Sequence, residues 1–363
     1  MATLTSAPAP STATRSVPAP SAASFPAYPV SWYFFGALEE LRGGPVTKEL
    51  FGQRLVAFRT AGGRVSVLDS RCCHLGTDLG RGQVVGESIQ CPYHHWEFGA
   101  DGCCTRIPAG GEIPTFARQR CYPAEERHGY LFVFNGRRPL FPLPFYDGEE
   151  PDNLLCSGVH EVVLECPWYL IGANAFDLQH YRASHDRELL GEPVIDCPTT
   201  FSRRAAARFA VSGNSLQDRL TRLFAGSEAS LTITDYCGNM MLATARFRRA
   251  RSFGLVMTQP LGESRVLVRL MVMKRRSRNP IGRLLYDRLS VEVRKLFFQN
   301  FLSADAERLA GVRYNPSRLI PADKHLAEYF QWLAVTAHGH EPTNSSDDDS
   351  RCISPGEPSP NDK

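Results

Sequence analysis

The sequence lacks several features that mark common classes of protein. It has no run of 18 or more apolar residues, so we expect no membrane-spanning helix. Its net charge of +3 over 363 residues is too small to predict a nucleic-acid partner. No Gly-x-Gly-x-x-Gly stretch follows a predicted strand, so we expect no bound nicotinamide or flavin. The sequence shows no charged-then-apolar secretion signal and its 11 cysteines are odd in number, so we expect reduced thiols and a cytoplasmic protein.

Both ends of the chain have compositions typical of disorder. Residues 1–27 consist mainly of Ala, Pro, Ser and Thr, and residues 339–363 are rich in Asn, Ser, Asp, Pro and Gly. Such segments bury too little apolar surface to offset the entropy of ordering them. The leader has no acidic residue and partly resembles an organelle transit peptide, which is the alternative to a cytoplasmic protein.

Between these ends the pattern predicts two folded domains of an α+β protein. Residues 28–140 contain short apolar or alternating runs separated by turn signals, which predicts an all-β domain. Residues 141–338 follow a proline-rich connector and combine further strands with two helical stretches, Pro167–His185 and Ile281–Arg308. We expect a mixed sheet in this second domain, packed against a long C-terminal helix.

Two short clusters each contain one cysteine and one histidine. Cys72-x-His74 is followed after 16 residues by Cys91-x-x-His94. This division lets two thiolates bind one iron while two imidazoles bind the other, as a Rieske [2Fe-2S] cluster requires. A mononuclear zinc site is the alternative, but its usual spacing places two cysteines in one cluster and two histidines in the other. The spacing therefore favours the two-iron cluster.

The flanks of these ligands resemble the signature of the ring-hydroxylating, Rieske-type oxygenase family. That signature runs Cys-x-His-x-Gly and Cys-Pro-x-His-x-Trp, and here the two stretches read Cys72-Cys-His-Leu-Gly76 and Cys91-Pro-Tyr-His-His-Trp96. Cys73 and His95 lie inside the stretches at other offsets, and we interpret them as bystanders.

A second motif, Asp177-x2-His180-x4-His185, lies in the first helical stretch. On a helix His180 and His185 are about one and a half turns apart, so both imidazoles can bind one metal. A carboxylate from elsewhere would complete a two-His, one-carboxylate triad that leaves positions open for substrate and O2. Asp305 is the first candidate because apolar residues precede it on one helical face, where an acid is costly unless paired; Glu307 is the alternative. Taken alone, the two histidines could equally be ordinary core or surface residues.

Five residues match the mononuclear iron motif of the same family, position by position: Asn174, Asp177, His180, His185 and Asp305. The resemblance implies a bound Fe(II) ion, electrons from a separate ferredoxin or reductase, and a homotrimer. In such a trimer Asp177 would bridge His180 and a neighbour's cluster ligand, His74 or His94, and so carry the electron. The alternative is that Asp177 only orients His180 within its own subunit.

The resemblance further implies a helix-grip (START-like) catalytic domain and the activity of a terminal oxygenase. We expect O2-dependent hydroxylation, dealkylation or N-oxidation of a small aromatic or polycyclic secondary metabolite, as in the homotrimeric, monooxygenase branch. Arene cis-dihydroxylation by a dioxygenase with the same site is one alternative. A non-catalytic Rieske redox protein or zinc-binding protein is the alternative from a different class.

Overall fold

The computed structural model describes residues 17–185, 187–213, 219, 222–223 and 226–339. The chain divides into two compact units. Residues 34–139 form the small unit, and the described residues up to 33 together with residues 140–338 form the large unit. Residues 28–33, which we predicted to open the first domain, therefore group with the large unit.

The small unit is built from short strands in three sheets, which confirms the all-β prediction. The sheet orders are β1-β11-β10, β2-β3-β4-β9 and β5-β6-β7-β8. The strands are β1 Trp32–Ala37, β2 Val46–Leu50, β3 Gln53–Arg59, β4 Val65–Asp69, β5 Gln83–Val85, β6 Ser88–Gln90, β7 Glu97–Gly99, β8 Cys104–Arg106, β9 Cys121–Tyr122, β10 Ala124–Arg127 and β11 Tyr130–Phe134. Tight turns set the pairing: Phe51 and Gly52, with φ of 40° and 72°, form the two-residue link between β2 and β3.

The large unit contains one nine-stranded sheet in the order β12-β20-β19-β18-β17-β16-β14, with β13 also on β20 and β15 also on β16. Its strands are β12 Leu154–Cys156, β13 His160–Leu164, β14 Arg187–Leu189, β15 Val194–Thr199, β16 Ser202–Val211, β17 Glu228–Tyr236, β18 Met240–Phe247, β19 Arg251–Pro260 and β20 Val266–Arg275. The α+β class is confirmed, but every described pairing in this sheet is antiparallel rather than mixed. The links from β17 to β20 are only three to five residues long, which leaves no room there for a parallel crossover.

Five described helices accompany this sheet: α1 Tyr169–Ala173, α2 Leu178–His185, α3 Pro280–Leu285, α4 Asp287–Leu309 and α5 Lys324–Thr336. The long C-terminal helix is present as α4, although the predicted single stretch is broken at Tyr286. The break has a local cause, because Asn279 caps α3 while the buried Asp287 carboxylate bonds Lys274 and Ser277 and thereby fixes the start of α4. Among the described residues, no helix is long and apolar enough to cross a membrane.

The apolar positions that follow the helical period in α3 and the first turns of α4 face outward. Leu284, Leu285, Leu289, Val293 and Leu296 are all exposed. The buried positions at the start of α4 are Asp287, Ser290 and Val291, and further along Phe298 packs against Gly254 of β19. The sheet is therefore covered in this region by the other side of the helix.

The later part of the predicted leader is packed against the large unit. Phe25 is buried, and its ring stacks on Tyr169 with centroids 4.2 Å apart. The Val17 N–H donates to the carbonyl of Leu319 at 3.1 Å. The prediction of disorder was wrong for residues 17–27, because one aromatic side chain among small residues supplies the buried area that anchors them. The predictions for residues 1–16 and 340–363 lie outside the described residues.

Candidate functional site

The two predicted cluster loops share one backbone arrangement. In each, the cysteine N–H donates to the carbonyl five residues later, at 2.9 Å from Cys72 and 2.8 Å from Cys91. The carbonyl of each cysteine accepts the N–H four residues later, from Gly76 at 2.8 Å and from His95 at 3.1 Å. Gly76 and His95 both have positive φ, 75° and 57°. His95 thus occupies a turn position that the backbone dictates, which agrees with its interpretation as a bystander.

Of the four predicted cluster ligands, the two cysteines are buried and the two histidines lie at the surface. Cys72 and Cys91 are 3 % and 2 % exposed, and their thiols are within hydrogen-bonding distance inside the core of the small unit. His74 and His94 are exposed, and their ring centroids are 4.8 Å apart. This arrangement fits a cluster with a thiolate-bound iron inside and an imidazole-bound iron at the surface.

Burial makes the Cys72 thiol a poor anion without a metal. It raises the pKa of that thiol to about 12, and the neighbouring Cys91 thiol adds to the increase. A thiolate at Cys72 therefore needs a positive charge beside it, such as bound iron would supply.

The second motif begins with a helix cap. Oδ1 of Asp177 accepts the backbone N–H groups of Gln179 and His180, each at 3.1 Å, so Asp177 is the N-cap of α2. The preceding Phe176 is buried and stacks on Tyr329, with ring centroids 4.6 Å apart. These contacts set the direction in which α2 presents His180.

His180 and Asp305 meet inside the large unit. Nε2 of His180 lies 3.0 Å from Oδ1 of Asp305, although the two residues are far apart in sequence. Leu302 and Ala306 on α4 pack against the core, which turns Asp305 inward, whereas Glu307 is exposed. Asp305 is therefore the better candidate of the two acids.

The separation of these atoms can be tested against an octahedral metal. Two ligands at right angles, each about 2.1 Å from the ion, lie about 3.0 Å apart. His180 and Asp305 meet that geometry, so the residues fit a mononuclear ion. Among the described side chains no three His, Cys, Asp or Glu converge on one point. The side chain of His185, the third predicted ligand, lies outside the described part.

A family model, the Rieske [2Fe-2S] domain, matches residues 31–117, a range that contains all four predicted cluster ligands. Aminopyrrolnitrin oxygenase PrnD of Pseudomonas fluorescens is 36 % identical over 164 residues, 43 % of this chain and 45 % of that protein. The oxygenase component of 3-ketosteroid-9-alpha-monooxygenase from Rhodococcus rhodochrous is 42 % identical over 105 residues, 29 % of this chain and 27 % of that protein. Residues 31–117 therefore match a Rieske [2Fe-2S] domain, and the chain is similar in sequence to these two oxygenases.

The chain thus spans less than half the length of the curated relatives that it matches. The structural likeness of the chain extends further. The structure of the NdmA QL mutant from Pseudomonas putida CBB5 with theobromine matches 84 % of this chain and 89 % of its own, with a TM-score of 0.61 and 18 % identity. At that identity the likeness shows the fold.

Two residues that support the sites carry no signal in the sequence. Gln119 is buried; its amide donates to the carbonyls of Asp69 and Arg71 at 3.1 and 2.8 Å and accepts the Cys73 N–H at 3.0 Å. It fastens the first cluster loop from a position well outside both loops.

Ser184 is the second such residue. Its hydroxyl lies 3.1 Å from Nδ1 of His180, on the side of the ring opposite Asp305. When Nε2 binds a metal, the neutral ring carries its proton on Nδ1 and donates it to Ser184. The serine thus supports the tautomer that the metal needs.

Two further predicted residues, Asn174 and Asp177, and their neighbour Tyr181 can also be placed. Asn174 is the C-cap of α1, three residues before Asp177. Tyr181 is buried between the motif residues and donates to the carbonyl of Ala175 at 3.2 Å; burial, with Asp305 and Asp177 nearby, raises its pKa. The capping bond shows that Asp177 orients His180 within its own chain, and the bridge to a neighbouring chain stays a prediction.

Proposed function

We propose that this protein is a terminal oxygenase that uses O2 and externally supplied electrons to oxidise a small aromatic or polycyclic substrate. The reaction would be hydroxylation, dealkylation or N-oxidation. The observation that carries this proposal is the 3.0 Å approach of His180 to Asp305, in a chain that also has the two cluster loops. A redox protein or a zinc protein would need only the loops.

His180, His185 and Asp305 would hold the mononuclear iron, and Cys72, His74, Cys91 and His94 would hold the cluster. Bound iron at the first set would supply O2 activation, and the cluster would supply one-electron storage. The chain's own part is to orient these ligands. With iron bound at Nε2, the Ser184 hydroxyl would accept the Nδ1 proton of His180, and Asp177 fixes the start of α2.

Electrons would come from a ferredoxin or reductase. The exposed His74 and His94 rings lie beside Leu75 and Tyr93, which are 63 % and 61 % exposed, so the small unit presents an accessible route to the cluster. One relative is named as the oxygenase component of a monooxygenase, which supports a separate electron donor. We also propose a homotrimer in the cytoplasm, with Asp177 as the bridge between subunits; light scattering on the purified full chain tests the trimer.

Monooxygenation is favoured over cis-dihydroxylation. The relatives are named as an aminopyrrolnitrin oxygenase and a ketosteroid monooxygenase. Turnover under ¹⁸O2 should place one labelled atom in the product of hydroxylation. Two labelled atoms from one O2 in the product would instead establish the dioxygenase.

Asp305→Ala tests the oxygenase itself. We expect this variant to keep the visible spectrum of the cluster and to lose O2-dependent product formation, because the triad loses its carboxylate. Glu307→Ala, two residues further on α4, is the matched control and should retain activity. Full turnover by Asp305→Ala would refute the assignment.

A further inference from the structure

The outward side of α3 and of the first turns of α4 is apolar. It is formed by seven large side chains whose exposed fractions range from 44 % to 81 %: Ile281, Leu284, Leu285, Tyr286, Leu289, Val293 and Leu296. We call these residues the α3–α4 face. Contiguous apolar surface of this kind is uncommon on a soluble protein unless it binds something.

The opposite side of α4 shows that this orientation is fixed. Asp287 is buried and bonded to Lys274 and Ser277, and Arg294 donates to the carbonyl of Arg251 at 3.1 Å. Rotating the helix to bury the leucines would separate Lys274 from Asp287 and leave both charged groups without partners. The α3–α4 face is therefore a surface of the folded unit.

Positive charge is concentrated around this face. Residues 274–296 contain eight Lys or Arg and two acids, a net charge of +6, whereas the whole chain carries only +3. Both acids are engaged with lysines, Asp287 with Lys274 and Glu292 with Lys295. Exposed arginines remain at 276, 278, 283 and 288.

We propose that the α3–α4 face binds the surface of an anionic lipid bilayer. Apolar side chains on the outward side of a helix, bordered by arginines, are the composition of a helix that lies in the membrane interface. The arginines would be attracted to anionic headgroups while the leucines enter the boundary of the acyl chains. Contact between this face on two copies is disfavoured, because it would bring together the exposed arginines at 276, 278, 283 and 288 of both copies.

Sedimentation of the full, iron-loaded protein with vesicles tests this inference. Vesicles of phosphatidylcholine containing about a third phosphatidylglycerol should bind the protein, and pure phosphatidylcholine vesicles much less. Raising the salt concentration should weaken binding, because it screens the arginines. Replacing Arg283 and Arg288 by Gln should lower the partition coefficient about fivefold for each charge removed.

Leu284→Ser and Leu289→Ser should each lower binding by more than tenfold, because each removes several buried carbons. Val194→Ser, at an equally exposed position on β15, is the matched control and should bind as the wild type does. The visible spectrum of the cluster checks that each variant is folded. A Leu285→Trp variant should show fluorescence quenching by brominated acyl chains.

Three results would overturn the proposal. One is the absence of binding of the wild type to anionic vesicles. Another is equal loss of binding in Val194→Ser. The third is a pair of results: Leu284→Ser dissociates an oligomer in light scattering, and the wild type does not bind vesicles. The α3–α4 face would then form a contact between copies of the chain.

Discussion

Replacing Ser184 by alanine removes the hydroxyl that lies 3.1 Å from Nδ1 of His180. The ring is mostly buried, with only 11 % of its side chain exposed, so water cannot readily take the place of the lost acceptor. A buried donor without a partner costs about 1–3 kcal/mol, and the loss of such a group behind a metal-bound histidine weakens metal affinity by about 10–100-fold. We therefore expect the Fe(II) dissociation constant of the second site to rise at least tenfold.

The assay is Fe(II) titration of protein whose mononuclear iron has been removed and whose cluster is intact. Ser184→Thr keeps a hydroxyl at the same position and should restore most of the affinity. Alanine has the higher helix propensity, so melting of α2 cannot explain a weaker site. Wild-type affinity in Ser184→Ala, or equal weakening in Ser184→Thr, would refute the role of the hydroxyl.

Three further changes give measurable outcomes. Asp177→Asn should keep both metal sites, because asparagine also caps helices, and should slow electron transfer from the cluster to the iron. An unchanged single-turnover rate would show that the carboxylate does not bridge the two metal sites. Asp235 is buried, which raises its pKa from 3.8 to about 7, so unfolding releases a proton between these values. The unfolding free energy of the wild type, measured by urea titration relative to that of Asp235→Asn, should fall by about 4 kcal/mol as the pH rises from about 4 to 7. Parallel pH profiles of the two proteins would contradict this. Gln119→Ala should destabilise the small unit by about 2–4 kcal/mol and speed sulfide release, whereas a wild-type release rate would show that the amide does not hold the loop.

The cluster loops were predictable because their ligands are close in sequence and their turn residues flank them directly. Gly76 lies in the same short stretch of sequence as Cys72, and the turn before Trp96 lies in the same short stretch as Cys91. Asp305 could be found because an acid after apolar helix positions is energetically unfavourable without a partner. In each case the residues that make the prediction possible, the turn formers beside the cysteines and the apolar residues before the acid, lie within a few positions of the residue predicted.

Other features depend on contacts that no local pattern contains. Gln119 reaches the first cluster loop only after the sheet has formed. The periodicity of α4 showed an apolar side but not its direction, which the Lys274–Asp287 pair decides. Phe25 is the one aromatic residue in a leader of mostly small residues, and its burial depends on Tyr169 far along the chain.

Chemical analysis of the purified full chain tests the central claim that one polypeptide holds two different iron centres. We predict about three irons and two acid-labile sulfides per chain, two irons from the cluster and one from the mononuclear site. Equal numbers of iron and sulfide would show a cluster without an oxygenase site. Zinc without sulfide would contradict both centres.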